Sequence, residues 1–334
     1  MVISKKRITA AYIVTAVLLV GLFVFSVITG SLKVSPMQLF NGLFKEYDPD
    51  VAVIYDLRFP RIFIAVLGGA AVAVSGVLFQ AVMKNPLADP GIIGISSGAS
   101  FMAVLITGLF PVLYFYVPIF AFLGGLIAFL IVYGLSYKDG LSPLRIILVG
   151  VAVNAMFTGM MSAFNAGTGS RLSGVASIVN ANISMKTWKD LRLLAVYVVL
   201  GLILSFIVSE KCNLLALNDK TARSLGLNVT RSRIGVSLVA VLLASISTAV
   251  IGPISFLGLI VPHIARILVG SDHKVLIPYS AILGGFTLLL ADTVGRTIAR
   301  PYEISAVIIM SVIGGPFFIA LLRRSGVNYG RRSA

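Results

Sequence analysis

The residue types that could do chemistry are few in this chain, and their spacing rules out more than it offers. Two histidines, His263 and His273, are too few for a histidine-built metal site. One cysteine, Cys212, excludes an intrachain disulfide and a cysteine metal cluster. No G-x-x-x-x-G-K-[ST] phosphate loop occurs. The acids are Glu46, Asp48, Asp50, Asp56, Asp89, Asp139, Asp190, Glu210, Asp219, Asp272, Asp292 and Glu303. All but Asp292 fall in loops or at the ends of apolar runs. A relay of acids across a membrane midplane, the usual device for coupling transport to protons or sodium, is therefore not expected. No catalytic residue and no metal ligand is assigned.

The elements that position these residues follow from composition. Hydrophobic residues make up 58% of the 334 and charged residues only 12%, with a mean hydropathy of +1.02. Soluble domains are about half apolar and about a quarter charged, so the solvent here is a bilayer. The net charge of +15 does not point to nucleic acid, because Lys and Arg sit between apolar runs without interleaved aromatics. The start, "MVISKKR" followed by the apolar run 8–28, is too long for a signal-peptide core and reads as a retained first span. Full-length runs fall at 8–28, 61–82, 112–134, 144–165, 191–209, 234–252, 275–296 and 304–322, and shorter ones at 92–109 and 256–269. The expectation is an all-α polytopic membrane protein of about ten spans, each needing about 20 apolar residues. With the N-terminus inside, 17 of the 27 Lys and Arg residues fall on the inner side, which puts both termini in the cytoplasm.

One stretch interrupts this pattern. "NPLADPGIIGISSGAS" follows a full span starting at Arg61 and precedes a short one. Asn85, Pro86 and Pro90 stop a helix, and Ser96, Ser97 and Gly98 permit close helix approach. The plan recurs downstream. A span opened by Arg231 and Arg233 breaks at Gly252–Pro253 before the short run "SFLGLIVPHIAR". Matched interruptions in two halves suggest an inverted repeat around a transport path. The repeats would be 61–165 and 234–322, four spans each, within one permease domain, 1–334. If ATP supplies the work, a nucleotide-binding partner must dock on the inner side, where the longest loop, 210–233, offers a surface. "LNDKTARSLGLNVTRSR" reads as a short helix. Asn218 or Asp219 can cap its start, Ala222 and Leu225 share a face, and Gly226 suits the left-handed C-terminal position. Such a helix could slot into a groove on a partner.

"DLRFPRIFIAVLGGAAVAVSGVLFQAVMKNPLADPGIIGISSGA" and "ISFLGLIVPHIARILVGSDHKVLIPYSAILGGFTLLLADTVGR" closely resemble the FecCD-type permeases, membrane subunits of ABC importers for ferric siderophores, haem and cobalamin. The resemblance covers nearly the whole chain. It implies a type II ABC importer permease in the bacterial cytoplasmic membrane, paired with a second permease that is identical or paralogous. It implies two cytoplasmic ATPase subunits that hold ATP and Mg, an extracellular or lipid-anchored binding protein, and no cofactor on this chain. By position it places Arg58, Arg61 and Arg296 on the outer face, where they would meet acids of the binding protein. It places Ala222, Arg223, Leu225 and Gly226 in the ATPase-coupling segment. It places Asn85, Pro86, Ser142 and Pro143 at the cytoplasmic gate, with Ser96, Ser97 and Gly98 beside the pathway.

"YFYVPIFAFLGGLIAFLI" and "SMKTWKDLRLLAVYVVLGLILS" resemble the haem-iron permeases of Gram-positive haem-scavenging systems, and ferric siderophore permeases share most of the rest. "VPH" recurs in the family whatever the cargo, so His263 reads as structural rather than as a haem ligand. Tyr114, Tyr116 and Trp188 read as interfacial aromatics. The expected function is translocation of an iron complex, driven by the partner ATPase. The alternatives are a cobalamin permease, an ion-coupled secondary transporter and a scaffold that transports nothing.

Overall fold

The structure is a computed structural model and describes residues 4–30, 34–136, 143–167, 178, 182–299 and 302–329. Among the described residues the elements are α-helices and one 3-10 turn. The helices are α1 (Lys5–Ile28), α2 (Pro36–Phe44), α3 (Pro49–Met83), α4 (Ile95–Leu109), α5 (Val117–Ser136), α6 (Pro143–Gly167), α7 (Trp188–Ile207), α8 (Ser209–Leu215), α9 (Asp219–Ser224), α10 (Val229–Ile251), α11 (Leu257–Val269), α12 (His273–Ile298) and α13 (Ala306–Tyr329). Seven are long and apolar enough to cross a membrane, and α4, α11 and the stretch 306–321 of α13 are shorter and apolar. Together these coincide with the ten expected spans.

One boundary is corrected. The span expected to open at Arg61 belongs to a helix that starts at Pro49 and continues through Pro60. The Asp48 carboxylate accepts from the Asp50 and Val51 amides at 2.9 and 3.2 Å, and Pro49 sits at a position that needs no amide donor. At 35 residues the helix is about 52 Å long, well beyond an about 30 Å hydrocarbon core. Its first turns therefore project past the lipid or the helix tilts.

The core is built on α3 and α10, whose apolar windows are 83% and 78% buried, against 17% for α1. Polar side chains join these helices without charge. Ser75 Oγ donates to the Ala240 carbonyl at 2.7 Å and Ser247 Oγ to the Gly68 carbonyl at 3.1 Å. In a membrane such hydrogen bonds replace the hydrophobic drive that lipid cannot supply. At the α3–α11 crossing, a Cβ on Gly76 would overlap the Gly258 carbonyl oxygen, so only glycine allows the approach. Helix α1 is fastened to α12 by Thr15–Tyr279 and Ser26–Thr293 hydroxyl pairs, both at 2.9 Å.

Candidate functional site

At the end expected to be cytoplasmic, the loop 210–233 folds into α8, α9 and a Schellman turn. Gly226, at φ +84°, donates its amide to Arg223, and Leu227 donates to Ala222 at 3.0 Å. The left-handed position expected at Gly226 is present, and a Cβ there would meet nothing within 4 Å. The shared apolar face is corrected: Ala222 is 1% exposed, packed into the protein, whereas Leu225 is 60% exposed. Ala222 anchors the helix, and Leu225 is the part a partner can reach. A groove of about 410 Å³ beside it is lined by Arg223, Gly226, Leu227, Asn228, Val229 and Thr230. Asn218 stands at the N-cap of α9 without a side-chain cap bond. The Asp219 carboxylate instead accepts from Lys84 at 2.7 Å and Arg233 at 3.0 Å. The Lys84 hydrogen bond, reinforced by Arg233, holds the Asp219 carboxyl below the usual carboxylate range. On the other flank α8 is tied to α12, with Asn213 Nδ2 donating to Asp272 at 2.7 Å.

Lys84 closes α3 in a left-handed conformation, and the helix-breaking stretch expected at the gate begins at the next residue. Asn85 is buried and its Oδ1 accepts from the Leu87 amide at 2.9 Å, while Pro86 is exposed. Ser142 lies outside the described residues. Pro143 opens α6. Ser96, Ser97 and Gly98 are buried on α4. Ser97 Oγ donates to the Gly94 carbonyl at 2.8 Å. A Cβ on Gly98 would lie 2.7 Å from the Gly124 carbonyl oxygen, which makes this the close α4–α5 approach that the small residues promised.

Residue pattern alone missed how the two interruptions meet. Asp89, grouped with the loop acids, is 0% exposed. One of its oxygens accepts from the Gly91 and Ile92 amides at 2.8 and 3.1 Å. The other faces α11, 2.9 Å from where a Gly258 Cβ would stand. Gln80 Nε2 donates to Ala88 of the first break and to Gly258 in the first turn of α11, at 3.3 and 3.2 Å, and Arg266 donates to Gln80 Oε1. The sequence signal was present: an acid between two helix-stopping prolines has backbone amides to bind.

The end expected to face outward holds an ion cluster. Arg58, Arg61 and Arg296, expected as exposed docking residues, are 9%, 6% and 7% exposed. That exposure is corrected, for all three turn inward. Arg61 grips Asp292 with Nε at 3.1 Å and Nη2 at 2.8 Å, and reaches Glu303 with Nη1 at 2.8 Å. Arg296 Nε lies 3.3 Å from Asp292, one turn away on α12. Arg58 donates to the Val27 carbonyl at 2.9 Å, and Arg296 donates to the Ser26 carbonyl at 3.2 Å. Burial of three arginines is tolerable because each is paired or hydrogen-bonded. Glu303 is the member that faces outward, with its side chain 46% exposed. Burial opposes its ionisation, but the Ser184 hydroxyl at 2.7 Å and Arg61 outweigh that and hold its carboxyl below the usual range. A cavity of about 620 Å³ opens beside the cluster, lined in part by Arg61, Ser184, Asp292, Glu303 and Val307.

The remaining flagged side chains, Tyr116 apart, fit into packing. His263 meets Phe317 edge to face at 5.7 Å. No group of three or more His, Cys, Asp or Glu that could hold a metal occurs among the described residues. Trp188 packs on Tyr55 and Phe63 at 4.9 and 6.4 Å, and Tyr114 donates to Asp190. Tyr116 is exposed.

The described residues thus form ten apolar helices around a glycine-packed core, the architecture of a polytopic membrane protein, with a half-buried helix on the loop 210–233 at one end and an ion cluster at the other. The profile of the FecCD transport family matches residues 18–324. The chain therefore belongs to the FecCD transport family. It is 42% identical over 98% of its length, and 99% of theirs, to proteins of Staphylococcus aureus strains Newman and MW2 named as the heme-iron transport system permease protein IsdF. It superposes on a solved inward-facing structure of a metal-chelate type ABC transporter with a TM-score of 0.78 and 29% identity, covering 95% of this chain and 99% of that one. The PsaBC structure from Streptococcus pneumoniae, at 18% identity and a TM-score of 0.57 over 86% of this chain and 95% of that one, shares the fold alone. The class is an ABC-importer permease, a multi-pass membrane subunit that works with an ATPase and a substrate-binding partner; ATP hydrolysis belongs to the ATPase.

Proposed function

We propose that this permease carries an iron complex, haem or a ferric siderophore, inward across the bacterial cytoplasmic membrane. The observation that carries the reading is the 42% identity, over almost the full length of both chains, to permeases named for heme-iron transport. Both termini are cytoplasmic, as the inner excess of Lys and Arg supports. Two permeases, identical or paralogous, stand with two ATPase subunits that hold ATP and Mg, and this chain binds no cofactor. The repeats 61–165 and 234–322 enclose the path with their partners in the second permease, and the gate lies at Asn85, Pro86, Ser142 and Pro143.

The ATPase docks on the groove beside Leu225. The exposure of Leu225 and Gly226, above a helix anchored through Ala222, supports this. The binding protein docks over the outer ion cluster. Arg58, Arg61 and Arg296 act there through the cluster they organise, with Glu303 as its outward-facing member. An ion-coupled mechanism finds little support, since Asp292 is already matched by Arg61 and Arg296.

The test is capture of the permease in mild detergent from cells grown without iron, with the co-purified binding protein titrated with haem and with ferric siderophores. The expected result is an ATPase and a binding protein in the same complex, and the ligand bound names the cargo. Absence of both partners, together with uptake abolished by dissipating an ion gradient, overturns the reading.

A further inference from the structure

A single carboxylate oxygen joins three elements at the inner surface. Asp219 Oδ1, on the first residue of α9, accepts from Lys84 Nζ at 2.7 Å and from Arg233 Nη2 at 3.0 Å. Lys84 also donates to the Leu217 carbonyl, just before α9. Arg233 stands in the second turn of α10. Lys84 is the C-cap of α3, just past its last residue Met83, and directly precedes Asn85 and Pro86. So α9, the gate turn and the bases of the two central helices share one ionic knot, bridging 135 residues of sequence on one side and 14 on the other.

The backbone of Lys84 is informative. It holds φ 48° and ψ 35°, the left-handed position that glycine takes without steric cost. Here a lysine occupies it, and its side chain is what reaches α9. The fastening elsewhere is rigid. Gln80, one turn back on α3, is hydrogen-bonded to Ala88 in the first break and to Gly258 at the start of α11, and Ala222 pins α9 into the core. A displacement of α9 is thus passed to the end of α3 through the Lys84–Asp219 pair, with Arg233 keeping the carboxylate aimed.

The geometry points to Asp219 and Lys84 as positioning residues that transmit motion of the coupling helix to the gate turn. This rests on the importer reading above. Allosteric linkage of this kind is a coupling free energy between sites, so its loss separates two activities without abolishing either.

The experiment uses the full complex with its ATPase in lipid nanodiscs, with a nitroxide at Pro86→Cys; Cys212 is buried and stays unlabelled. The readout is the accessibility of that nitroxide to a water-soluble relaxation agent, with and without ATP plus vanadate, beside the ATP hydrolysis rate. In the otherwise unaltered chain, nucleotide trapping is expected to change accessibility roughly tenfold, within the usual range of allosteric couplings. Asp219→Asn and Lys84→Met are expected to keep assembly and hydrolysis while losing that change. Lys84→Arg, which keeps the charge, is expected to restore it. The proposal is overturned if the change persists in both neutral variants, if it is absent in the unaltered chain, or if both variants lose ATPase assembly, which would make the knot a docking support. A complex that binds no ATPase in any form instead overturns the importer reading itself.

Discussion

At the scale of single residues, charge placement decides most of what the protein can do. Arg61 carries two acids at once, Asp292 nearly enclosed and Glu303 half exposed. Removing one partner of a buried pair leaves an uncompensated charge. Arg61→Met is therefore expected to cost about 3 kcal/mol, the low end for such a loss because Arg296 still faces Asp292. Thermal unfolding in mild detergent checks this against Lys189→Met on the surface, which is expected to stay within about 0.5 kcal/mol. Equal melting temperatures would remove the cluster from the stability of that end of the protein.

Asp219 gives a pH dependence with a definite sign. Its folded-state pKa is depressed, chiefly by the Lys84 hydrogen bond. Its contribution is therefore complete above the unfolded carboxylate value, about 3.9, and is lost as pH falls through the lower folded value. Hydrogen-exchange protection of residues 218–228, taken relative to the intrinsic rate at each pH, is expected to fall below about pH 4 in the unaltered chain and to show no such step in Asp219→Asn. A step of equal size in both would place the titration elsewhere.

At the scale of elements, short helices are held by their ends. Helix α9 has only six residues, too few for stability by propensity, and it survives because Ala222 is buried and the Schellman turn at Gly226 closes it. Proline cannot adopt φ +84° and has no amide to give Arg223. Gly226→Pro is expected to uncouple ATP hydrolysis from uptake, measured as cargo moved per ATP in proteoliposomes. Normally coupled uptake would sink the assignment of this segment. At the other end, α3 extends to Pro49 because Asp48 caps it, although Asp50, Asp56, Arg58 and Pro60 read as loop residues. Charged residues and a proline inside a helix look, in a hydropathy pattern, the same as the end of one.

At the scale of the whole molecule, a lipid solvent changes what packing means. Lipid tails are as apolar as leucine, so helices associate through close backbone approach and shared hydrogen bonds. The α3–α11 crossing depends on Gly76, where any Cβ meets the Gly258 carbonyl. Gly76→Leu is expected to cost about 3 kcal/mol or more, as for a severe overpacking change. Gly21→Leu, on α1 where a Cβ meets nothing within 4 Å, is expected to be neutral. Size-exclusion profiles and melting of the two variants in the same detergent decide the matter, and equal behaviour would refute the crossing. The large apolar side chains left exposed on α6, α7 and α13, such as Leu148, Val196 and Val312, suit lipid or a second permease.

By itself the sequence determined the solvent, the span count, the two interruptions and the left-handed glycine of the loop 210–233. Each is a local property of apolar run length, of proline and glycine, or of a short capping pattern, and none needs knowledge of a distant neighbour. Only the tertiary structure decided what the charged residues do. Arg61 and Asp292 are 231 residues apart, Lys84 and Asp219 are 135 apart, and nothing in either local pattern names the other partner. Arginines bordering apolar runs read as surface charge, yet these are buried, because folding brings to each the carboxylate or carbonyl that makes burial affordable in free energy. Asp89 follows the same logic: its amides come from its own turn, but its depth is set by α11 packing over it.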